Sequence, residues 1–308
     1  RQATGKDTII SFLGGYHGRT SGCLAVTSSS SSYRGHRSGP LPGGTAWAQY
    51  PYEHAGVSSQ QSLDSLDLIL MQQASASEIA AVLIEPILGE GGYVVPPQGF
   101  MKKLRQFCDQ NGILLIADEV QCGAGRSGKM WAVDHDDVHP DILVSAKGIA
   151  SGYPLSVVFS KSELSARQTQ NAMGGTYGGN AVASAAALAT LDVIEKENLL
   201  HNAEVRGEQL MNGLRCHLGE FVSDVRGRGL MVGCEFAETV PKGTSGAISK
   251  ACYERGMLLL PTGHRETLRF VPSLVVTESE VEECLDIFGD AMNEVLGSST
   301  VLEEVVSV

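Results

Sequence analysis

Residues 113–154 contain the feature that most constrains the fold of this 308-residue chain. An apolar run at residues 113–117 ends in Asp118 and Glu119, and a second apolar run at residues 142–144 is followed closely by Lys147. Runs this short and this apolar are typical of strands that are covered on both faces of a parallel sheet. Because ligands bind at the carboxyl edge of such sheets, the sequence predicts that an acid and the lysine share a ligand site.

Strands and helices alternate along the first 200 residues, which favours a parallel sheet with crossover helices. We predict strands at residues 8–13, 79–84, 113–117, 142–144 and 156–159, and helices at residues 98–110, 181–197 and 202–218. From about residue 220 we predict short strands at residues 222–225, 230–236, 257–260 and 268–271, and helices at residues 245–255 and 278–296. The predicted fold class is therefore a large α/β domain over residues 1–200 and a smaller C-terminal α+β domain over residues 201–308.

Charge and cysteine usage restrict the kind of partner and compartment. The net charge of −12 argues against nucleic acid or an anionic membrane surface as the main partner, and no apolar run is long enough for a membrane span. Seven scattered cysteines without a Cys-x-x-Cys pair, and histidines without a ligand pattern, predict free thiols and no metal site. We expect the protein to be located in the cytoplasm or the mitochondrial matrix. The first residue is not Met, so we also expect that the chain starts inside a domain and that any targeting segment cannot be seen.

The acid and the lysine at the sheet edge each allow two interpretations. Lys147 is either a solvated loop residue or a partly desolvated nucleophile with a lowered pKa. Asp118 and Glu119 are either a cap or surface pair, or one of them pairs with a pyridinium nitrogen. A lysine that can become a neutral amine, with such an acid, is what a pyridoxal phosphate enzyme requires. Val120 would then pack on the ring face, and Gln121 could reach a ring substituent.

Other strand ends and glycine-rich loops contribute candidate ligands. Tyr16 could stack on a planar cofactor or belong to the core, and Arg19 could bind a carboxylate or lie at the surface. Thr176 lies in a glycine-rich stretch before an Ala-rich helix, which could bind phosphate or be a flexible connector. Glu90 lies between glycines and is expected to face the cleft. Arg269 lies inside an apolar strand and must therefore find an anion.

Seven sequence blocks resemble those of the class III pyridoxal-phosphate aminotransferases, most closely the 4-aminobutyrate (ω-amino acid) aminotransferase type. In chain order they are residues 16–20, 85–97, 114–128, 141–154, 174–180, 225–232 and 269–272. The resemblance implies fold type I of the pyridoxal phosphate enzymes and a homodimer. It also implies a transfer of an amino group from an ω-amino acid or amine, such as 4-aminobutyrate, to a 2-oxo acid such as 2-oxoglutarate.

The resemblance also implies roles for the residues around the cofactor. Lys147 corresponds to the lysine that binds pyridoxal 5'-phosphate covalently and moves protons, and Asp118 to the partner of the pyridine nitrogen. Val120 corresponds to the residue on the ring face, Gln121 to the contact of the ring hydroxyl, and Tyr16 to the aromatic residue that stacks on the ring. Glu85 corresponds to an acid near the cofactor, and Thr176 to a phosphate contact that comes from across the dimer interface.

For the substrate, the resemblance implies that Arg269 binds the α-carboxylate of the keto acid, and that Glu90 pairs with Arg269 while an ω-amino substrate is bound. Arg19 corresponds to an arginine for the distal carboxylate. A pyridoxal-dependent decarboxylase or mutase of the same fold remains an alternative, although related decarboxylases lack the acid at Glu90. A catalytically silent fragment is another alternative, because the glycine/serine loop that contacts the cofactor phosphate in the family has no counterpart here. A dinucleotide dehydrogenase is disfavoured, since no G-x-G-x-x-G follows any strand.

Overall fold

Two sheets, each covered by helices, organise the chain in a computed structural model that describes residues 1–35, 39–219, 221–262 and 265–297. The first sheet has six strands in the order β2-β1-β3-β4-β5-β6. Their bounds are β1 (Thr8–Phe12), β2 (Thr45–Ala48), β3 (Ile79–Ile84), β4 (Leu114–Asp118), β5 (Ile142–Ser145) and β6 (Val157–Ser160). All neighbouring strands are parallel except β5 and β6, which run antiparallel, so the predicted mainly parallel sheet is confirmed.

The α-helices in the part of the chain that forms the first sheet are α1 (Ser21–Ala25), α2 (Ser59–Gln72), α3 (Phe100–Asn111), α4 (Ser162–Ser165) and α5 (Ala181–Lys196). Helices α2 and α3 pack their apolar residues against strands of the sheet, and α5 packs against the turn that follows β5. Leu66 of α2 and Leu104 of α3 are fully buried against Val82 and Leu115 of the central strands. Helix α3 ends at Gly112, whose φ of 60° is the left-handed conformation that glycine adopts without strain.

The second sheet contains four antiparallel strands in the order β7-β8-β10-β9. The strands are β7 (Val222–Arg228), β8 (Met231–Phe236), β9 (Leu260–Pro261) and β10 (Thr267–Phe270), and the helices are α6 (Leu199–Arg215), α7 (Thr244–Glu254) and α8 (Glu278–Gly297). The second core joins residues of α6, α8 and the sheet, including Leu210 and Phe288, which packs edge-on against Phe270 at 5.3 Å. The predicted α+β unit is therefore present.

Sequence and structure differ at several elements, including one long helix. The sequence did not predict β2 or α2, and the strand expected at residues 257–260 is only the pair Leu260–Pro261. Helix α6 starts at Leu199 rather than residue 202. A domain boundary near residue 200 stays a prediction, and residues 298–308 of the second predicted domain lie outside the described residues. Within the described ranges, no helix is long and apolar enough to cross a membrane.

Candidate active site

The register of the first sheet places the acid and the lysine at one edge. Asp118 at the end of β4 pairs with Val144 of β5, and Lys147 follows three residues after Val144. Lys147 begins a short 3-10 turn, Lys147–Ala150, that leaves the sheet. The two side chains predicted to share a ligand site are therefore carried by neighbouring parallel strands at their carboxyl ends.

Lys147 lines a cavity of 720 Å³ together with Val120 and Gln121. Its φ of 48° is left-handed, and two other residues that line the cavity, Ala124 and Ser151, have φ values of 51° and 47°. A left-handed non-glycine residue costs about 1–3 kcal/mol, and such residues cluster at functional sites. The Lys147 side chain is exposed in this single chain, and the partly desolvated nucleophile that the sequence offered as one of two interpretations stays a prediction.

Asp118 is buried and has a partner that the sequence did not indicate. Its Oδ2 lies 2.7 Å from Nδ1 of His17, whose side chain is also buried, and its Oδ1 accepts a hydrogen bond from the Val120 backbone N–H at 3.1 Å. His17 follows Tyr16 in the block after β1, and this adjacency was the one sequence signal for it. The pair holds the Asp118 carboxylate in one orientation at the sheet edge.

Glu85 joins this buried cluster from the end of β3. Its two carboxylate oxygens accept hydrogen bonds from the backbone N–H groups of Tyr16, at 2.9 Å, and Gly89, at 3.2 Å. Burial raises the pKa of Glu85 to about 7, a shift that His17 opposes and Asp118 reinforces. Three titratable side chains, Glu85, His17 and Asp118, therefore meet beyond the carboxyl ends of β1, β3 and β4.

Glu119 has a different environment from Asp118. This difference bears on which of the two acids belongs to the site, a question that the sequence left open. Its carboxylate accepts hydrogen bonds from the backbone N–H groups of Ala132 and Val133, both at 2.9 Å, and from the Cys122 thiol at 3.2 Å. Burial raises the pKa of Glu119 to about 7 against these hydrogen bonds. Glu119 thus anchors the turn at Ala132–Asp136, and Asp118 is the acid left for the site.

Glu90 and Arg269 form an ion pair that connects the two sheets. Arg269 Nη1 lies 2.6 Å from Glu90 Oε1, and the side chains are 13% and 22% exposed. The guanidinium carbon is 6.0 Å from the centre of the Tyr93 ring, and the buried Nε of Arg269 has no hydrogen-bond partner among the described residues. Tyr93 in turn accepts a hydrogen bond from Gln121 Nε2 at 2.7 Å. The anion expected for Arg269 is thus Glu90 in this structure.

Of the predicted site residues, only Val120, Gln121 and Lys147 line the cavity. Arg19 and Thr176 lie outside it, and the lining also does not include Asp118, Glu85, Glu90, Tyr16 and Arg269. Arg19 is exposed, and its guanidinium carbon lies 4.3 Å from the centre of the Tyr33 ring, which contacts Tyr16 edge-on at 5.5 Å. Thr176 is exposed, as are all residues of the glycine-rich stretch around it, and it does not line the cavity. Tyr16 is half-buried and reaches the cluster through its backbone N–H.

Comparison with known proteins supports the class of enzyme that the sequence blocks indicate. Residues 1–292 match the family model described as aminotransferase class-III. The chain is 39% identical over 302 residues to 5-aminovalerate aminotransferase DavT of Pseudomonas aeruginosa and 37% identical over 303 residues to 4-aminobutyrate aminotransferase GabT of Escherichia coli. Each alignment covers 96% of this chain and 71% of the relative.

Solved transaminase structures share the fold. An aminotransferase of Bacillus anthracis superposes with a TM-score of 0.89 at 30% identity, over 96% of this chain and 72% of the other. An amine transaminase of an uncultivated Pseudomonas species, solved in its PLP-bound form, gives 0.87 at 31% identity, over 95% and 71%. The chain belongs to the class-III aminotransferases, a family of pyridoxal phosphate-dependent enzymes, as its sequence blocks predict.

Proposed function

We propose that this chain transfers an amino group from an ω-amino acid to a 2-oxo acid such as 2-oxoglutarate, with pyridoxal 5'-phosphate as the cofactor. The observation that carries the proposal is the 2.6 Å pair between Arg269 and Glu90. A cation that can be neutralised from within the protein suits an enzyme that alternates between a substrate with an α-carboxylate and one without it. The similarity to 5-aminovalerate and 4-aminobutyrate aminotransferases supports the same substrate class.

The residues present fit the cofactor. Asp118 is buried and fixed by His17, which suits a partner for a ring nitrogen, and Lys147 extends into a cavity with Val120 and Gln121. A volume of 720 Å³ lies within the usual range for small-molecule sites. We propose that Lys147 and Asp118 hold the cofactor, with Val120, Gln121, Tyr16 and Glu85 around its ring. When bound, pyridoxal phosphate supplies an electron sink that stabilises a carbanion next to the transferred nitrogen.

Lys147 is the group positioned to move protons. Its Nζ would accept the proton from the substrate carbon that carries the amino group and would then donate it to the cofactor carbon that takes up a proton. The short turn Lys147–Ala150 is anchored by Ile149 and Ala150, which are buried, so the backbone of the lysine is fixed while its side chain remains free to reach both carbons. Asp118, whose carboxylate is held by His17, would pair with the ring nitrogen of the bound cofactor.

Arg269 and Glu90 select the substrate in each half of the reaction. With an ω-amino acid bound, Glu90 neutralises Arg269, because a buried and unpaired guanidinium would be costly. With glutamate or 2-oxoglutarate bound, the α-carboxylate takes the place of Glu90 at Arg269. Arg19, exposed beside Tyr33, is proposed to bind the distal carboxylate. The acid at Glu90 favours this transfer over decarboxylation in the same fold.

We further propose that the chain acts as a homodimer in which Thr176 of one copy contacts the cofactor phosphate of the other. Large apolar side chains are exposed near the glycine-rich stretch and the turn after Lys147, and they include Tyr153, Met173, Tyr177, Val182 and Leu188. Contiguous exposed apolar surface is typical of protein interfaces. A second copy on this surface would bury Thr176 and reduce the exposure of Lys147.

The test is amino transfer from 4-aminobutyrate or 5-aminovalerate to 2-oxoglutarate, with glutamate formation as the readout. Lys147→Ala should abolish transfer and leave the circular dichroism spectrum unchanged, because the side chain is exposed and not part of the core. Lys129→Ala is the matched control, since Lys129 is also exposed and lies outside the cavity. Borohydride reduction should fix the cofactor on the peptide that contains Lys147. Label on Lys129 or Lys161, or transfer by Lys147→Ala, would contradict the assignment.

A further inference from the structure

One row of residues crosses the second sheet below the loop that carries Glu90. Gly233 in β8 pairs with Arg226 of β7 on one side and with Arg269 of β10 on the other. Residues paired across antiparallel strands lie on the same face of the sheet, and neighbouring strands are about 4.8 Å apart. Arg226 and Arg269 therefore lie on one face of the sheet. Gly233 lies between them, and their strands are two strand spacings apart, roughly 10 Å.

The loop that contacts this row runs from Leu88 to Val94. Reciprocal backbone hydrogen bonds between these two residues, at 2.9 and 3.1 Å, close its base. Glu90 lies in the loop, and Gly92 follows two residues later with a φ of 124°. Tyr93 is fully buried and left-handed at 54°. The Glu90 carboxylate contacts Arg269, and the Gly92 carbonyl contacts Arg226, so each arginine holds one part of the same loop.

Arg226 binds the loop backbone with two of its nitrogens. Its Nε and Nη2 donate to the Gly92 carbonyl oxygen at 2.9 and 2.6 Å, and its side chain is 10% exposed. Two acids hold the guanidinium: Asp224 accepts from Nη1 at 2.7 Å, and Glu235 lies 2.8 Å from Nη2. The guanidinium carbon is also 4.9 Å from the centre of the Tyr52 ring. A planar, fully paired guanidinium of this kind has little freedom to move.

Glu235 helps to hold the guanidinium of Arg226 in place whether or not substrate is bound. It accepts hydrogen bonds from the Tyr52 hydroxyl and from Arg265, whose Nη1 is 3.0 Å away. Burial alone would raise the pKa of Glu235, but the hydrogen bond from Tyr52 and the charges of Arg226 and Arg265 lower it. The acid is therefore ionised at neutral pH, and the charge that orients Arg226 does not depend on substrate.

Gly233 leaves the space that the loop occupies. A Cβ atom at this position would lie 3.1 Å from Cβ of Tyr93 and 3.2 Å from the Gly92 carbonyl oxygen, which is tighter than ordinary contact. The loop backbone thus rests directly on β8 between the two arginines. On the other side of the row, Arg126 Nη1 donates to the carbonyl oxygens of Pro272 and Leu230 at 2.5 and 3.2 Å, which fixes the chain just beyond Arg269.

We infer that Arg226 is a positioning residue for substrate selection: it holds the backbone of the Glu90 loop in place while the Glu90 side chain joins and leaves Arg269. This inference rests on the proposed function. Arg226 is bonded to a carbonyl and to internal acids, so an incoming carboxylate does not compete for it as it does for Arg269. The exchange at Arg269 is then a side-chain rotation on a fixed loop, and Glu90 returns to the same position after each glutamate half-reaction.

The first test needs neither cofactor nor substrate. In Arg226→Met, hydrogen–deuterium exchange of a peptide spanning residues 86–95 should become about tenfold faster, the factor that a charge-assisted hydrogen bond typically contributes. Arg206→Met is the matched control, because Arg206 is similarly buried in the same unit but pairs with Gln209 and Glu278 and does not reach the loop. Unchanged exchange at residues 86–95 in Arg226→Met would overturn the inference.

The second test separates positioning from general stability. Single-turnover rates are measured with 4-aminobutyrate and, separately, with glutamate. Arg226→Met should lower the 4-aminobutyrate rate about tenfold more than the glutamate rate, since only the first half-reaction needs Glu90 at Arg269. Arg226→Lys should restore part of the ratio, and Arg206→Met should leave it unchanged. Equal losses in both half-reactions would overturn the positioning role. If the unaltered protein performs neither half-reaction, the proposed function fails, and the exchange measurement still decides whether Arg226 holds the loop.

Discussion

Replacement of Glu90 by alanine is the perturbation that most directly tests substrate selection. Arg269 is 13% exposed, its Nε has no partner among the described residues, and its guanidinium carbon lies 6.0 Å from the centre of the Tyr93 ring. Glu90→Ala therefore leaves a largely buried cation without a counter-ion whenever no substrate carboxylate is present. The 4-aminobutyrate half-reaction should suffer, whereas the glutamate half-reaction supplies its own carboxylate.

The size of the effect can be worked from the burial of the pair. Removal of one member of a buried ion pair typically costs about 3–5 kcal/mol. Glu90 retains 22% exposure, so water screens part of the interaction and the lower end of the range applies. About 3 kcal/mol corresponds to a rate ratio that changes roughly 100-fold between the two half-reactions. Glu90→Gln keeps an acceptor for Arg269 but loses the charge, so its effect should be smaller.

Single-turnover absorbance changes of the cofactor-loaded protein, recorded separately with 4-aminobutyrate and with glutamate, provide the measurement. Arg269→Ala should show the opposite imbalance, with the larger loss in the glutamate half-reaction. Glu254→Ala is a suitable control, because Glu254 is exposed on α7 and forms an ion pair with Lys250, at 3.9 Å. If Glu90→Ala reduced both half-reactions equally, the reasoning from an internal counter-ion would be refuted.

Two other acids give contrasting expectations. Asp118→Asn should retain cofactor but slow proton abstraction by several orders of magnitude, because an amide cannot keep a ring nitrogen protonated; near-normal turnover would remove Asp118 from the mechanism. Glu119 has a folded-state pKa of about 7 against an ordinary value of 4.5, so its contribution to stability is present below pH 4.5 and is lost as the pH rises through 7. The loss amounts to at most about 3 kcal/mol, and chemical unfolding of Glu119→Gln should show a flatter pH dependence over this interval; equal slopes for the two proteins would contradict the assignment.

The sequence predicts the elements whose pattern is local. Strand β3 was predicted with both bounds because all six of its residues are apolar and both faces of the strand are covered. Helix α5 follows from its alanine-rich composition, and its start at Ala181 agrees with the Asn180 side chain, which caps the helix. By contrast, β2 has only four residues and follows a Gly/Pro-rich stretch, so its strand conformation depends on pairing with β1.

Contacts between distant segments account for most of what the sequence could not predict. His17 and Asp118 are 101 residues apart, and Arg226 and Gly92 are 134 residues apart. No local pattern encodes such pairs, because they exist only after the sheets have formed. The resemblance to the aminotransferase family supplied the pair of Glu90 and Arg269, which composition and spacing alone did not. The sequence also left open whether Lys147 is solvated, and its side chain is exposed in the single chain.

The left-handed backbone around the cavity sets a limit on how stable this protein can become without losing its site. Lys147, Ala124 and Ser151 each adopt a φ that glycine would accept without strain, yet Lys147 must keep its side chain to function as proposed. Variants selected for heat resistance alone would therefore gain from glycine at these positions, and at residue 147 that gain would remove the proposed activity. The cavity is thus a place where selection for stability and selection for catalysis oppose each other.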